Sequence, residues 1–139
     1  VTFSLAVQNG DLSLLGSQLA IVSGTPKLAQ DLQLWILESY GGDRFHPAMG
    51  STLEAYIGSV INPATSVTMQ NEVLRVLANY QRVQQLGFTA NPQLYSLAEL
   101  LYSINDVSAT ISYDTVTAAV SVTSAAGQQA TVTASQSTA

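Results

Sequence analysis

The side chains with the most chemical potential crowd into one stretch, residues 38–54, which holds Glu38, Asp43, Arg44, the single histidine His46 and Glu54. Glycoside hydrolysis needs two carboxylates at a set separation, one to protonate the leaving oxygen and one to attack or to activate water. Glu38, Asp43 and Glu54 lie close enough in sequence to supply such a pair. Each also has a plainer assignment: Glu38 on a solvated helix face, Asp43 beside Arg44 or capping the loop, Glu54 in a capping box with Ser51. A zinc site needs three or four ligands at ligand spacing, and one histidine without cysteine does not provide them. His46 therefore reads as a loop hydrogen-bonder. Neither the nucleophile-elbow pattern G-x-S-x-G nor the phosphate-cradling G-x-x-x-x-G-K occurs. No catalytic constellation, metal or cofactor is expected.

Arg44 is more informative. A guanidinium is a planar fork that grips carboxylates or several carbonyls at once. The chain has only three arginines, and this one sits among Gly41, Gly42, Pro47 and Gly50, residues that give a loop a defined shape. Two roles stand open: an anchor for its own loop, or an anchor for a partner.

The elements that must hold this loop follow from period and punctuation. Val1–Val7 is a short apolar–polar stretch, and Asn9-Gly10 is a turn signal. Asp11–Leu15 and Gln18–Val22 are expected to pair as a hairpin across Gly16-Ser17. No internal repeat is expected. Thr25-Pro26 reads as N-cap and first helical residue. Leu28, Leu32, Trp35 and Ile36 share one face of a helix ending near Ser39, before Gly41-Gly42. A short helix from Ser51 turns Leu53, Ile57 and Val60 inward and stops before Asn62-Pro63. A longer one runs from about Ser66 to Gln85, with an apolar stripe through Val73, Leu74, Val76, Leu77, Tyr80 and Val83 and with Gly87 just beyond its end. Asn91-Pro92 opens a further helix to about Ser103, burying Leu94, Leu97 and Leu101. From Val107 the period becomes two: Val107–Tyr113, Ala118–Val122 and Ala130–Thr133 read as strands, with turns at Asp114-Thr115 and Ala125-Ala126-Gly127. The fold class is α+β: an N-terminal β-hairpin, three to four helices and C-terminal antiparallel strands. Residues 1–123 read as one domain, and 124–139 as an uncharged Ala/Ser/Thr/Val-rich strand or tail.

The chain has 139 residues and a net charge of −5, and only 9% of its residues are charged, against about 25% in an average soluble domain. Four scattered cations cannot neutralise a phosphate track, which excludes a basic nucleic-acid binder. No apolar run is long enough for a membrane-spanning helix, and Val1-Thr2-Phe3-Ser4-Leu5 lacks the basic start of a signal peptide. After Asp114 there is no charge at all, and 21 of the last 25 residues are Ala, Val, Thr or Ser. Strands without charged or proline gatekeepers invite pairing with another chain. The strands from 107 to 123 are therefore expected to be completed by a partner through strand addition, with a disordered terminus over 125–139 as the plainer alternative. The segment beyond Asp114 is expected to be dispensable for folding.

The run Gly42-Asp43-Arg44-Phe45-His46-Pro47-Ala48-Met49-Gly50-Ser51-Thr52-Leu53 reads G-x-R-x-x-P-x-x-G-x-x-L. With a helix on either side, it resembles the loop of the tailed-phage baseplate wedge, or sheath-initiator, family. That family often carries Glu-Pro-Arg near the end of its long helix. The matching place here is Tyr80-Gln81-Arg82, where only Arg82 fits. The resemblance implies a non-enzymatic part of a virion, in a ring of copies at the tail baseplate, assembled in the host cytoplasm. The implied partners are other wedge proteins, tail-tube subunits and tail-sheath subunits, whose assembly is templated by donated C-terminal strands; no nucleic acid or membrane is implied. The implied partner-binding residues are Arg44, Pro47, Gly50, Leu53 and Arg82, with Val107, Ile111, Val120 and Val122 on the strands. A glycan-cleaving tail enzyme, a component of a non-contractile tail and a bacterial adaptor of the same fold are the alternatives.

Overall fold

A computed structural model describes residues 2–8, 11–58 and 62–137; the Asn9-Gly10 turn signal and Val60 lie outside them. The N-terminus is not a simple hairpin. Six two-residue strands, β1 (Ser4–Leu5), β2 (Val7–Gln8), β3 (Asp11–Leu12), β4 (Leu14–Leu15), β5 (Gln18–Leu19) and β6 (Ile21–Val22), pair as β1–β6, β2–β3 and β4–β5. The expected pairing across Gly16-Ser17 holds for β4 and β5, whereas β6 goes to β1. At the centre Ala6 N–H donates to Ala20 O, Ser13 N–H to Ala6 O and Ala20 N–H to Ser13 O. This three-way junction exposes a repeat that the sequence reading misses: Ser4–Gly10, Asp11–Ser17 and Gln18–Gly24 align as heptads, each with Leu second and a small residue third. The third position is small because three backbones converge there. Gln30 ties the unit to the body: its amide donates to Leu5 O and accepts from Val7 N–H, both at 2.9 Å.

Helix α1 (Gly24–Leu37) buries Leu28, Leu32, Trp35 and Ile36, as their spacing predicts. Ser23, not Thr25, occupies the N-cap position, and the Thr25 hydroxyl instead reaches Ala98 O and the Gln128 side chain. The expected helix from Ser51 is only a 3₁₀ turn, Leu53–Tyr56. The Ser51–Glu54 capping box does not form. Ser51 is drawn back onto the end of α1, where its hydroxyl donates to Ile36 O at 2.6 Å and its N–H to Glu38 O at 2.8 Å. Glu54 accepts from Ser39 Oγ instead.

Helix α2 (Pro63–Ala90) is longer than its stripe suggests, since Asn62 caps it by accepting from Thr65 N–H at 2.8 Å. It runs on through Gly87, where Tyr95 packs so closely that a Cβ would strike the tyrosine hydroxyl. The expected helix from Asn91 to Ser103 is absent. Two 3₁₀ turns, Pro92–Leu94 and Leu97–Glu99, replace it and leave Leu94 and Leu97 more than half exposed. Long-range polar contacts win over local propensity here. The Gln84 amide donates to Glu99 O at 2.7 Å and accepts from Leu101 N–H at 2.8 Å. The buried Glu99 carboxylate takes Ser96 N–H at 2.7 Å and the Thr2 hydroxyl at 2.6 Å. There are thus two α-helices among the described residues, not three to four.

The chain then forms an antiparallel sheet, β7 (Leu101–Ser112), β8 (Thr115–Ser124) and β9 (Gln129–Ser137), in that order. The first turn is Tyr113-Asp114, one residue earlier than expected, with Tyr113 at φ +53°. Val116, Ala118, Val120 and Val122 alternate onto the helix-facing side of β8, and Val132 and Ala134 of β9 join them in the core. Helix α1 lies over β9 and α2 over β7. The residues beyond Asp114 therefore supply much of the core. Truncation there would expose the apolar faces of both helices, contrary to the expectation that this segment is dispensable for folding.

The same elements clamp the 40–51 loop at its base. Arg75 on α2 donates to Gly50 O at 3.1 Å, pairs with Glu72 at 2.7 Å and lies over the Tyr40 ring. Glu72 also accepts from Thr52 N–H, and Asn79 donates to Ala48 O. Gly50 adopts φ +100°, and a Cβ would stand 2.6 Å from Glu38 O. Gly50→Ala should therefore destabilise the protein by more than the roughly 1–3 kcal/mol of backbone strain alone. Gly41→Ala, at φ +78° with open space around it, should cost only the strain; urea denaturation of the two variants gives the comparison. Arg75 and the Thr52 N–H hold the Glu72 carboxyl below its ordinary value of 4.5. Its stabilising contribution is present above that value and is lost as pH falls through the lowered one. Glu72→Gln should flatten the acid limb of a stability–pH curve, and an unchanged slope would remove Glu72 from the clamp.

Candidate functional site

The loop held by that clamp is stiff as well as exposed. Asp43 Oδ1 accepts from Phe45 N–H at 2.8 Å, its Oδ2 meets His46 Nδ1 at 3.2 Å, and Met49 N–H donates to His46 O. These contacts hold the Asp43 carboxyl below its usual range, the Phe45 N–H most and His46 next. Such a group stays ionised, the opposite of what a general acid needs. His46 is the loop hydrogen-bonder that its isolation in the sequence suggests. At the tip, Arg44 is exposed and has no ion-pair partner among the described residues. Beside it Phe45 is 89% exposed. Sequence reasoning passes over Phe45, although an aromatic next to arginine in a shaped loop is its available signal.

The other sequence-singled residues divide. Pro47 is exposed on the same loop, while Gly50 is buried at its base. Leu53 is a core residue. Arg82 donates to Asn79 Oδ1 at 3.0 Å on the exposed side of α2. Val120 and Val122, at 1% and 0% exposure on the central strand, face the protein's own helices and offer no surface. Val107 and Ile111 lie on β7, an outer strand of the sheet, but the Ile111 side chain belongs to the core and Val107 packs half-buried against it, so what this strand leaves open is backbone.

A cleft of about 460 Å³ separates α1, the loop and α2, with Lys27, Asp31, Trp35, Asp43, His46 and Tyr80 on its walls. Its polar groups mostly satisfy one another. Lys27 Nζ meets Asp31 at 2.5 Å, the Tyr80 hydroxyl donates to Asp31 at 3.3 Å, and Gln84 donates to the same hydroxyl. Burial, and then Asp31, push the Tyr80 phenol up, so it remains a donor. Glu38 and Glu54 are not among its walls. No group of three or more metal-ligating side chains occurs among the described residues, and no described helix is long and apolar enough to cross a membrane.

The second feature is the pair of outer strands. In an antiparallel ladder alternate residues turn both backbone groups toward the neighbour, and those between turn them away. On β9 the Thr133 carbonyl points away from β8 and accepts from Gln33 Nε2 at 3.1 Å. On β7 the Ala109 carbonyl points away and meets Ser66 Oγ only at 3.5 Å.

No protein-family model and no curated protein matches the sequence. Among solved structures the chain is similar to a crystal structure from Geobacter sulfurreducens named a "putative tail lysozyme". The TM-score is 0.59 at 13% identity, covering 85% of this chain and 95% of the other. The two share a fold.

Proposed function

We propose that this protein is a structural component of a phage tail, a baseplate wedge protein that also initiates the sheath. The observation that carries the reading is the fold shared, over most of both chains, with a protein named a "putative tail lysozyme". The loop supports it. A rigid base presents Arg44 and Phe45 side by side, and arginine and aromatic side chains dominate protein–protein hot spots. The composition supports it too. With few charges and with Phe3, Leu14, Leu15 and Ile21 each more than half exposed, the N-terminal unit suits a protein covered by neighbours.

The mechanism is geometric: the loop docks the protein into its ring, and the C-terminal sheet offers a template. Donation of C-terminal strands, as the resemblance implies, takes a different form here. β7, β8 and β9 are all engaged in one sheet, so the template is an outer edge that receives a strand.

The neighbour's printed name favours a second reading, glycan cleavage. Against it stands the self-satisfied cleft, whose walls include neither Glu38 nor Glu54. Arg44→Ala and Phe45→Ala should each lower the protein's occupancy in purified tails about tenfold or more, the scale of a lost hot spot. Their melting temperatures should stay close to that of the unaltered chain. Normal occupancy, or a fall in stability larger than the fall in occupancy, would make the loop an internal anchor. Peptidoglycan hydrolysis by the purified protein, abolished by Asp43→Asn or Glu54→Gln, would replace the structural reading with the enzymatic one.

A further inference from the structure

The two sheet edges are not equivalent. β9 is encumbered, because Gln33 holds the Thr133 carbonyl and the Gln136 side chain reaches Glu54 at 3.4 Å. β7 has register shifts in its first half, between Leu101 and Ser103 and between Ile104 and Asp106, but runs regularly from Val107 to Ser112. The closing pair of its hairpin is Ser112 with Thr115. In a two-residue hairpin that pair bonds inward, which turns the backbone groups of Val107, Ala109 and Ile111 outward. Among the described residues no strand pairs with that side.

An apolar pocket of about 180 Å³ opens beside this edge, between the first turns of α2 and β7. Its walls include Thr65, Ser66, Met69, Ala109 and Ile111. An extended peptide recognised by strand addition draws affinity from main-chain hydrogen bonds and specificity from pockets that take alternate side chains. Both parts are present here, and the pocket has room for one aliphatic side chain.

Charge narrows the occupant. Asp106 and Asp114, both exposed, bracket the regular edge, and no lysine or arginine lies on β7, β8 or β9. A second copy of this chain brings no cation to either carboxylate, since its own β7 carries none. Antiparallel pairing of two β7 edges about Thr110 would set Asp106 of one copy opposite Asp114 of the other, and like charges directly opposite are unfavourable. A strand with basic residues at its ends meets the carboxylates instead.

We propose that the Val107–Ser112 edge and the α2–β7 pocket together receive an extended segment of a partner protein. That segment carries no charge over its centre, places an aliphatic side chain against Met69 and has lysine or arginine at its ends. That the partner is a tail protein rests on the function proposed above; the strand addition itself does not.

The probe is a synthetic peptide in which valine alternates with threonine between terminal lysines, titrated into the full chain. Hydrogen exchange should slow about tenfold or more at the amides of Val107, Ala109 and Ile111. N-methylation of one alternate set of peptide residues should abolish binding, and methylation of the other set should be tolerated. Thr65→Trp, on the α2 wall of the pocket and without a hydrogen bond to β7, should weaken binding about tenfold. Asp114→Asn should weaken it a few-fold, as a partly exposed ion pair would. Protection at Thr131, Thr133 and Ser135 instead, equal effects of the two methylated peptides, or absence of binding would each overturn the β7 assignment. Absence of peptide binding alongside normal occupancy in tails would leave the tail reading standing. Peptide binding with no occupancy in tails would remove the tail reading and keep the strand site.

Discussion

The rest of the molecule depends on the covered face of β8. That strand pairs on both edges, so its only freedom is which residues face inward, and its strict alternation decides this. Val116, Ala118, Val120 and Val122 face the helices, while Thr115, Thr117, Ala119, Ser121 and Thr123 face away. The inward residues are mostly small, which lets α1 and α2 settle close to the sheet with Leu28, Leu32, Met69 and Val73 between them. Once both helices lie on one face, the end of α1 and the flank of α2 define the gap that the 40–51 loop must cross. Burial of these aliphatic side chains contributes about 1.5–3 kcal/mol each, so the position of the loop is fixed by a large term remote from it.

Finer placement falls to uncharged polar side chains that stand in for backbone. Gln30 treats β1 and β2 as a neighbouring strand would. Gln84 does the same for Glu99 and Leu101, Ser51 closes the last turn of α1, and Asn79 holds the loop at Ala48. Buried backbone groups must find partners somewhere. A chain with so few charges meets this need with amides and hydroxyls. Glu99 is the exception: a buried carboxylate satisfied by Thr2 and Ser96 rather than by a cation. It fastens the first residues of the chain to the start of β7.

This division explains what could be read from the sequence. Periodicity reports burial against a regular surface, so the apolar face of α1 and the alternation of β8 were legible in Leu28, Leu32, Trp35, Val120 and Val122. The α+β class followed from them. The N-terminal unit was half legible: Gly16-Ser17 gave one hairpin, but the heptad repeat was hidden because its small central residues, Ala6, Ser13 and Ala20, carry no strong local signal. The segments around Ser51 and Asn91 misled because their caps were read locally. Ser51 had a better partner in Ile36, fifteen residues away, and residues 96–101 were claimed by Gln84. No local rule weighs such contacts. At the site, the loop's spacing was visible as a motif, whereas the satisfied cleft around Asp31 and Tyr80 required the fold.

Rigidity and openness are divided between different parts of the loop and the sheet. The loop base is held by Arg75, Asn79 and the dihedral of Gly50, so the exposure of Arg44 and Phe45 is not the exposure of a floppy segment. A side chain presented from a fixed base loses little further freedom on binding, and that loss is a main cost of association. The sheet follows the same logic. β7 is stiffened along Val107–Ser112 by its regular ladder to β8, so its outward backbone groups are already arrayed at strand spacing. Both features are ordered ahead of any binding event, as the proposed docking requires, whereas the cleft between the helices has spent its polar groups on itself. The contrast between ordered, open surface and satisfied cavity is therefore a support for the proposed assembly role that comes from the chain's own geometry.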